Sequence, residues 1–336
     1  MKHLIGPLVT AAILVGLSPQ SVLADNPIVI KFSHVVADGT PKGRGALKFK
    51  ELAEKALPGR VTIEVYPNSQ LYKDKEEIEA LQLGAVQMLA PSMSKFGPLG
   101  VREFEALDLP FILKDDAGFK AVTQGDVGKS LFAKLESKGI KGLAYWDNGF
   151  EHMFANRPLH TPDDFKGLKM RIQSSKVLDA QMRALGAIPQ VMAFSEVYQA
   201  LQSGVVDGTE GTPSNFYTQK YSDVQKYLTV SNHNHLSYAV IVNKTFWDGL
   251  PSDVRDALEK AMKDSTEFVN GIAKADNAAA MEKIRTNGKT QIIELTDAEK
   301  AQWVKAVAPV YADMAARVGQ DTIDAVSRAT GFTLPK

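Results

Sequence analysis

Strand-like and helix-like segments alternate along the first half of this 336-residue chain. Pro58-Gly59 and Gly84 follow the two helix-like segments, where they act as helix stops. A strand–helix–strand order needs crossover connections, which favour parallel pairing within an α/β layer. The sequence therefore predicts an α/β lobe with mainly parallel strands. The predicted elements are strands at 28–32, 61–66 and 86–90 and helices at 42–57 and 74–83.

The second half of the chain repeats this plan. Thr161 and Pro162, followed by two acidic residues, predict a helix start, and Ser195 is expected to cap a further helix that ends at Ser203. The segment Ala-Leu-Gln-Ser-Gly-Val-Val-Asp at 200–207 echoes Ala-Leu-Gln-Leu-Gly-Ala-Val-Gln at 80–87. The echo supports two lobes of similar construction. The other predicted elements here are a strand at 168–173, a helix at 176–185 and a strand that starts at 205–207.

Two facing lobes of this kind predict a shared cleft, because open α/β sheets bind ligands beyond the carboxyl ends of their strands. The corresponding positions are Pro91-Ser92 in one half and 209–211 in the other. A helical pattern from Ser252 to about Gly288 predicts a helix of ~30 residues, which would be ~45 Å long. Such a helix could run along both lobes. A further amphipathic helix is predicted at 303–318.

The first 24 residues have the organisation of a secretory signal peptide. Lys2 and His3 precede an apolar run at 4–17, and Val22 and Ala24 fit a signal-peptidase site. The alternative, a membrane anchor, needs ~20 apolar residues, which is more than this run offers. No later segment is apolar enough to cross a bilayer. We therefore expect a protein that is exported to the periplasm and folds from residue 25 onwards.

Composition excludes several classes of function. Lys plus Arg and Asp plus Glu each total 39, so no general basic surface favours nucleic acid. The chain has no cysteine, which excludes disulfides, thiol nucleophiles and cysteine zinc sites. The serine-hydrolase, phosphate-loop and zinc-protease motifs are missing, and Gly43-Arg44-Gly45 lacks the third glycine of a dinucleotide fingerprint. We expect no cofactor and no enzymatic activity.

Two histidine-containing segments are candidates for a catalytic or metal site. His233 and His235 would share one face of a strand, but the sequence offers no clear third ligand for a metal. Glu151 and His152 could form an acid–base pair, but adjacent residues diverge on a strand. Neither segment therefore predicts a site.

Arg171 is the best single candidate for ligand binding. It alternates with Met170 and Ile172, and it sits near the end of a predicted strand, where the cleft should be. Its planar guanidinium suits bidentate binding of a carboxylate. Ser174 and Ser175 follow at the start of the next helix, where hydroxyls and free backbone N–H groups favour an anion. On physical reasoning alone, a structural salt bridge and a ligand contact explain Arg171 about equally well.

The mature chain resembles a known family of receptors. From residue 25 to about 325 it is similar to the substrate-binding proteins of tripartite ATP-independent periplasmic (TRAP) transporters, and most of all to their C4-dicarboxylate-binding, DctP-type branch. The matching runs are Phe-Ser-His-Val-Val-Ala at 32–37, Thr-Pro-Lys-Gly at 40–43, Tyr-Pro-Asn-Ser-Gln-Leu at 66–71, Gly-Leu-Lys-Met-Arg at 167–171, Ala-Phe-Ser-Glu-Val-Tyr-Gln-Ala-Leu-Gln at 193–202 and Val-Asp-Gly-Thr-Glu at 206–210.

The resemblance implies a two-lobed periplasmic-binding-protein fold of class α/β, with a central cleft, hinge strands and a long helix spanning both lobes. Lobe I would comprise 25–148 plus about 237–275, and lobe II 149–236 plus about 276–336. A monomer would capture a small organic acid and deliver it to the TRAP transporter membrane subunits without ATP. An exported enzyme and a sensory receptor on the same scaffold are the alternatives.

The resemblance also implies which residues bind the ligand. The Arg171 position would grip a carboxylate, the Ser174 position would also contact that carboxylate, and the Phe194 position would line the cleft. The expected ligand-binding residues are Arg171, Ser174, Glu151, Phe194, Ser92, Gly211, Asn148, Asp74, His34, Lys73 and Asn215.

Three departures from the family pattern bear on the ligand. Glu151 stands where the family usually has a cation, Gly211 stands where it usually has Asn, and Tyr72-Lys73 replaces a common Phe-Gly. An ionised Glu151 would repel a second ligand carboxylate by ~4 kcal/mol at 4 Å and an effective dielectric of 20. This favours a hydroxy monocarboxylate, such as a four-carbon sugar acid or pantoate, over succinate or malate. Alternatively, Glu151 turns away to pair with Lys73, Lys42 or Arg157, which leaves dicarboxylate binding intact.

Overall fold

The computed structural model describes residues 26–333, so the predicted signal peptide at 1–24 lies outside the described residues. Within this range the strands form one mixed sheet. No helix here is long and apolar enough to cross a membrane. The strands are β1 (Ile28–Ser33), β2 (Val61–Tyr66), β3 (Met88–Leu89), β4 (Ile140–Ala155), β5 (Lys169–Ile172), β6 (Ile188–Val191), β7 (Gly208–Gly211), β8 (Tyr227–Asn243) and β9 (Gln291–Glu294).

Helices cover the sheet, and short 3-10 turns link several elements. The α-helices are α1 (Pro41–Ala56), α2 (Glu77–Gln82), α3 (Asp116–Gln124), α4 (Asp126–Glu136), α5 (Lys176–Ala184), α6 (Val197–Ser203), α7 (Pro213–Thr218), α8 (Lys244–Asp248), α9 (Ser252–Asn287), α10 (Asp297–Val307), α11 (Pro309–Val318) and α12 (Gln320–Thr330). The 3-10 turns are Met93–Lys95, Arg102–Asp108, Pro162–Phe165, Phe194–Glu196 and Tyr221–Asp223.

The strand order β2-β1-β3-β8-β4-β7-β5-β6 divides the sheet into two parallel groups joined by two long strands. β1 pairs in parallel with β2 and β3, and β5 pairs in parallel with β6 and β7. The long strands β4 and β8 pair with each other antiparallel, and each pairs antiparallel with one parallel group. The predicted α/β fold of two lobes with connecting strands is confirmed, and parallel pairing holds inside each lobe but not between them.

The predicted long helix is also confirmed. α9 has 36 residues and is therefore ~54 Å long. Its first half buries Val254 and Leu258 against the α1 side of the sheet, together with Trp146. Its far end buries Ile284 in a separate apolar cluster with Phe154. Because one rigid helix packs on both clusters, it ties the two halves of the molecule together.

Several predicted boundaries differ from those observed. Pro309 divides the segment predicted as one helix at 303–318, because proline lacks the N–H that the helix interior needs. Ser195 does not cap a helix: it lies inside a 3-10 turn, and α6 begins at Val197. The strand predicted to start at 205–207 begins only at Gly208, since Val205 is exposed in the preceding turn. α2 begins at Glu77, which leaves Asp74 in a turn.

β4 contains a bulge directly before Glu151. Asp147 pairs with Ser237 and Phe150 with His235, so β4 carries an extra residue between these two pairs. Gly149 in this bulge has φ +88°, a left-handed conformation that favours glycine, and a Cβ there would lie only 2.7 Å from the side-chain nitrogen of Asn277 on α9.

Candidate functional site

A cavity lies where the carboxyl ends of β3, β5 and β7 meet the middle of β8. This is the place that the strand-end rule predicts for a ligand. Most of its polar lining residues are buried, so the cavity is shielded from solvent. The lining residues are Val35, Val36, Lys42, Asp74, Glu77, Pro91, Ser92, Lys95, Glu151, Phe154, Arg171, Gln173, Phe194, Glu210, Gly211, Asn215, Phe216, Tyr221, Leu236 and Tyr238.

Arg171 presents its guanidinium to this cavity. Met170 and Ile172, its neighbours on β5, are fully buried in the core, and Arg171 itself is only 4% exposed. Its Nε donates a 3.1 Å hydrogen bond to the carbonyl of Met192, and the guanidinium carbon lies 5.8 Å from the ring centroid of Phe194. Neither terminal nitrogen hydrogen-bonds to any residue in 26–333. Arg171 is therefore oriented by Nε, and its terminal nitrogens can receive a carboxylate.

Asp74 and Lys95 form a buried ion pair beside Arg171. Lys95 Nζ lies 2.6 Å from Asp74 Oδ2, and Arg171 Nη2 lies 4.0 Å from the same oxygen. The backbone N–H of Phe194 donates to Asp74 Oδ1 at 3.1 Å. Burial alone would raise the pKa of the Asp74 carboxyl, but Lys95, Arg171 and these hydrogen bonds hold it below its ordinary value. Burial lowers the pKa of Lys95 although Asp74 opposes the shift.

Lys42 brings a third cation to the cavity. It is 1% exposed, its Nζ donates to the carbonyl of Ala90 at 3.0 Å, and Nζ lies 3.7 Å from the ring centroid of Tyr238. Burial lowers the pKa of Lys42 to about 8, although Glu77 and Asp74 oppose this. Burial likewise raises the pKa of Glu77 to about 7. Lys42 and Glu77 are thus both close to changing charge near neutral pH.

Glu151 lines the cavity and is 4% exposed. Burial, together with the carboxyls of Glu210 and Asp108, raises its pKa well above the ordinary value, and the charge of Arg171 opposes this only in part. The raised pKa favours the neutral carboxylic acid over the carboxylate. A neutral acid can donate a hydrogen bond to an anion, so the raised pKa weakens the repulsion expected from an ionised Glu151.

The pairing of Glu151 with a nearby cation, expected as the alternative, is not what the structure shows. Lys73 pairs with Glu196 at 2.8 Å, and Arg157 donates to the carbonyl of Lys166. Lys42 is bonded to the carbonyl of Ala90. Within residues 26–333, no side chain or backbone group hydrogen-bonds to the Glu151 carboxyl.

Seven of the expected ligand-binding residues line the cavity. The Ser92 hydroxyl donates a hydrogen bond to Gln173 Oε1 at 2.5 Å. The Asn215 side-chain amide donates one to the Tyr238 hydroxyl at 3.4 Å. A Cβ at Gly211 would meet only the Phe154 ring, at an ordinary 3.6 Å. The seven are Arg171, Asp74, Ser92, Glu151, Phe194, Gly211 and Asn215.

The other four expected residues do not line the cavity. Asn148 is buried in the β4 bulge, where its amide donates to the Thr212 hydroxyl at 2.8 Å. His34 is fully buried, and burial together with nearby Lys42 lowers its pKa to about 3. Lys73 is exposed in its ion pair with Glu196, and Ser174 lines a separate surface pocket beside Asp74.

The two histidines of β8 contact different carboxylates. His233 Nε2 lies 3.2 Å from Glu210 Oε2, and His235 Nε2 lies 3.1 Å from Asp147 Oδ1. They are part of the polar interior between the two lobes. No group of three or more potential metal ligands occurs in the part of the chain that the structure describes.

Sequence reasoning missed Lys95 and Glu77 as cavity residues, and it named Lys42 only as a possible partner of Glu151. Lys42 carried one usable signal: a cation in the first turn of α1 opposes the helix dipole, and no acid stands there to offset it. Lys95 lies in a 3-10 turn with no local signal, since its importance comes from burial beside Asp74.

Known proteins match this chain over almost all of the described residues. The family model for bacterial extracellular solute-binding protein, family 7 (DctP) matches residues 32–318. A C4-dicarboxylate-binding periplasmic protein of Rhodobacter capsulatus is 64% identical, and the match covers 98% of this chain and 98% of the relative.

Two solved structures with bound acids are also similar. A TRAP periplasmic solute-binding protein from Shewanella oneidensis with bound succinate is 44% identical with a TM-score of 0.88, covering 90% of this chain and 99% of that chain. One from Pseudomonas aeruginosa with bound L-malate is 46% identical with a TM-score of 0.83, covering 85% of this chain and 100% of that chain.

Proposed function

We propose that the cavity of this protein captures a C4-dicarboxylate. The chain belongs to the DctP family of bacterial extracellular solute-binding proteins. The observation that carries this is the buried Arg171, whose terminal nitrogens are free to grip one carboxylate from the end of β5. Lys95 and Lys42 line the same cavity and supply positive charge for a second carboxylate. A site with three buried cations suits a doubly negative acid.

The raised pKa of Glu151 weakens the main reason for preferring a hydroxy monocarboxylate. That preference depended on repulsion between an ionised Glu151 and the second carboxylate of the ligand. With its pKa raised, Glu151 instead supplies a hydrogen-bond donor, which serves a carboxylate or a hydroxyl group equally well. The similarity to relatives described as binding C4-dicarboxylates, succinate and L-malate then favours the dicarboxylate.

The wider role follows from the family. The protein would act in the periplasm as a monomeric receptor that delivers its acid to TRAP transporter membrane subunits. It would return the acid chemically unchanged. No covalent step is needed for capture, because charge pairing and enclosure in the cavity supply the binding free energy.

Titration calorimetry with succinate, L-malate, erythronate and pantoate tests this proposal. We expect the two dicarboxylates to bind more tightly than the two monocarboxylates, and acid recovered after long incubation to be unaltered. At 100 times its dissociation constant a ligand should add ~2.7 kcal/mol to the free energy of unfolding, which a thermal-shift assay detects. Binding of erythronate or pantoate alone would overturn the dicarboxylate proposal, and chemical conversion of the acid would indicate an enzyme.

A further inference from the structure

Two of the four cavity carboxyls, Glu151 and Glu77, have no hydrogen-bonding or ion-pair partner within residues 26–333. Asp74 is paired with Lys95, and Glu210 with His233. The Glu151 carboxyl lines the cavity and forms no hydrogen bond or ion pair within residues 26–333. The charge that acts most strongly on Glu77 is the cation Lys42, whereas those that act most strongly on Glu151 are the carboxyls of Glu210 and Asp108.

The charges around the cavity also limit what it can hold. Four carboxyl side chains and three cationic ones line it, so the lining has an excess of one negative charge if every group is ionised. A dicarboxylate would then raise the excess to three inside a largely buried space. Like charges in such a space favour protonation of the carboxyl whose neighbours are other carboxyls, which is Glu151. The four carboxyl residues are Asp74, Glu77, Glu151 and Glu210, and the cations are Lys42, Lys95 and Arg171.

We propose that closure of the cavity around a dicarboxylate takes up one proton from solvent, and that the Glu151 carboxyl holds this proton and donates it in a hydrogen bond to a ligand carboxylate. The inference rests on the proposed function. In this step, an ionised Glu151 binds one proton from solvent and becomes a neutral carboxylic acid. This acid donates a hydrogen bond to the doubly negative ligand, so atoms and charge balance. Glu151 is thereby a specificity-determining residue, because its proton lets the cavity accept a second carboxylate.

The difference in the surroundings of Glu151 between the open and the closed cavity drives the proton uptake. A ligand can enter only if the cavity opens, and opening brings water to Glu151, which allows it to ionise. In the enclosed state the pKa of Glu151 is raised well above its ordinary value. The titratable groups that face it are Glu210 on β7, Arg171 on β5, Asp108 at the end of a 3-10 turn and Tyr238 on β8.

The test is calorimetry of succinate binding at pH 7.5 in two buffers with different ionisation enthalpies. The difference in heat gives the number of protons taken up per ligand bound. We expect wild type to take up more protons than Glu151→Gln, by close to one, because glutamine keeps a hydrogen-bond donor but cannot titrate. Glu77→Gln is the matched control, since it removes another buried cavity carboxyl and should retain the uptake due to Glu151.

Equal proton uptake in wild type and Glu151→Gln, or no uptake in wild type, would overturn the assignment. If Glu151→Gln is folded but does not bind, the pH dependence of wild-type affinity decides. Linkage requires affinity to fall by up to tenfold per pH unit as pH rises above the ordinary glutamate pKa, so a flat profile between pH 5.5 and 8 overturns the proposal. Failure of wild type to bind any C4-dicarboxylate would instead overturn the proposed function, and this inference with it.

Discussion

Lys95 Nζ lies 2.6 Å from Asp74 Oδ2, and both side chains are almost completely buried in the cavity wall. The same carboxylate oxygen is 4.0 Å from Arg171, so Asp74 stands between two cations. It thereby stabilises positive charge at a buried site whose purpose, on our proposal, is to bind an anion.

Asp74→Asn should therefore destabilise the ligand-free protein. Removal of one partner of a buried ion pair leaves the other charge uncompensated, which costs ~3–5 kcal/mol. Urea denaturation without ligand measures this change. Asp179→Asn is the matched control, because Asp179 pairs with Arg183 at the surface and its loss should cost under ~1 kcal/mol. Equal losses in the two variants would contradict the buried pair.

Arg171→Ala should weaken dicarboxylate binding by ~2–5 kcal/mol, because it removes the charged partner of a buried ligand carboxylate. Arg171→Lys should also bind weakly, since an ammonium cannot reproduce the two parallel hydrogen bonds of the guanidinium. Calorimetry on folded variants measures both effects. Arg183→Ala controls for loss of an arginine away from the cavity. Near-wild-type affinity in Arg171→Ala would reject Arg171 as the anchor.

Lys73→Ala should change affinity little. Lys73 pairs with Glu196 at 2.8 Å, but both side chains are nearly half exposed, and such pairs contribute only ~0–1 kcal/mol. The effect should shrink further in 0.5 M salt, because exposed charges are screened. Affinity measured at low and high salt checks this. A loss comparable to that in Arg171→Ala would place Lys73 in the binding site after all.

His34 and His152 should each lower the free energy of unfolding as pH drops from about 6.5 to about 3. Burial lowers the pKa of His34 and of His152 to about 3. Between these values the unfolded chain binds protons that the folded protein does not, which costs up to ~1.4 kcal/mol per pH unit for each histidine. Denaturation between pH 3.5 and 6.5 should show that His34→Gln and His152→Gln each lose less stability on acidification than wild type does.

Ligand binding should make the molecule more compact. The cavity is enclosed by contacts from opposite sides, such as Ser92 with Gln173 and Asp74 with the backbone of Phe194, and a ligand can enter only if these open. A ligand that binds the enclosed state better shifts the population towards it. Small-angle scattering should give a smaller radius of gyration with saturating succinate. An unchanged radius would indicate a rigid cavity.

Much of the fold could be predicted because its signals are local. The strand at 61–66 matches β2, and the helix predicted at 42–57 matches α1 to within one residue at each end. The long strands β4 and β8 were missed as a pair. Their antiparallel pairing joins segments more than 70 residues apart, which short sequence windows do not report.

The sequence by itself determined that this chain forms two α/β lobes and that Arg171 lies at the end of a strand. Both follow from periodicity, helix stops and alternation, which act over a few neighbouring residues. Only the tertiary structure decided that Lys42 and Lys95 join Arg171 in one cavity, and that the pKa of the Glu151 carboxyl, which faces it, is raised. The physical reason is that burial and the charges of distant residues set a pKa, and neither is defined until the chain has folded.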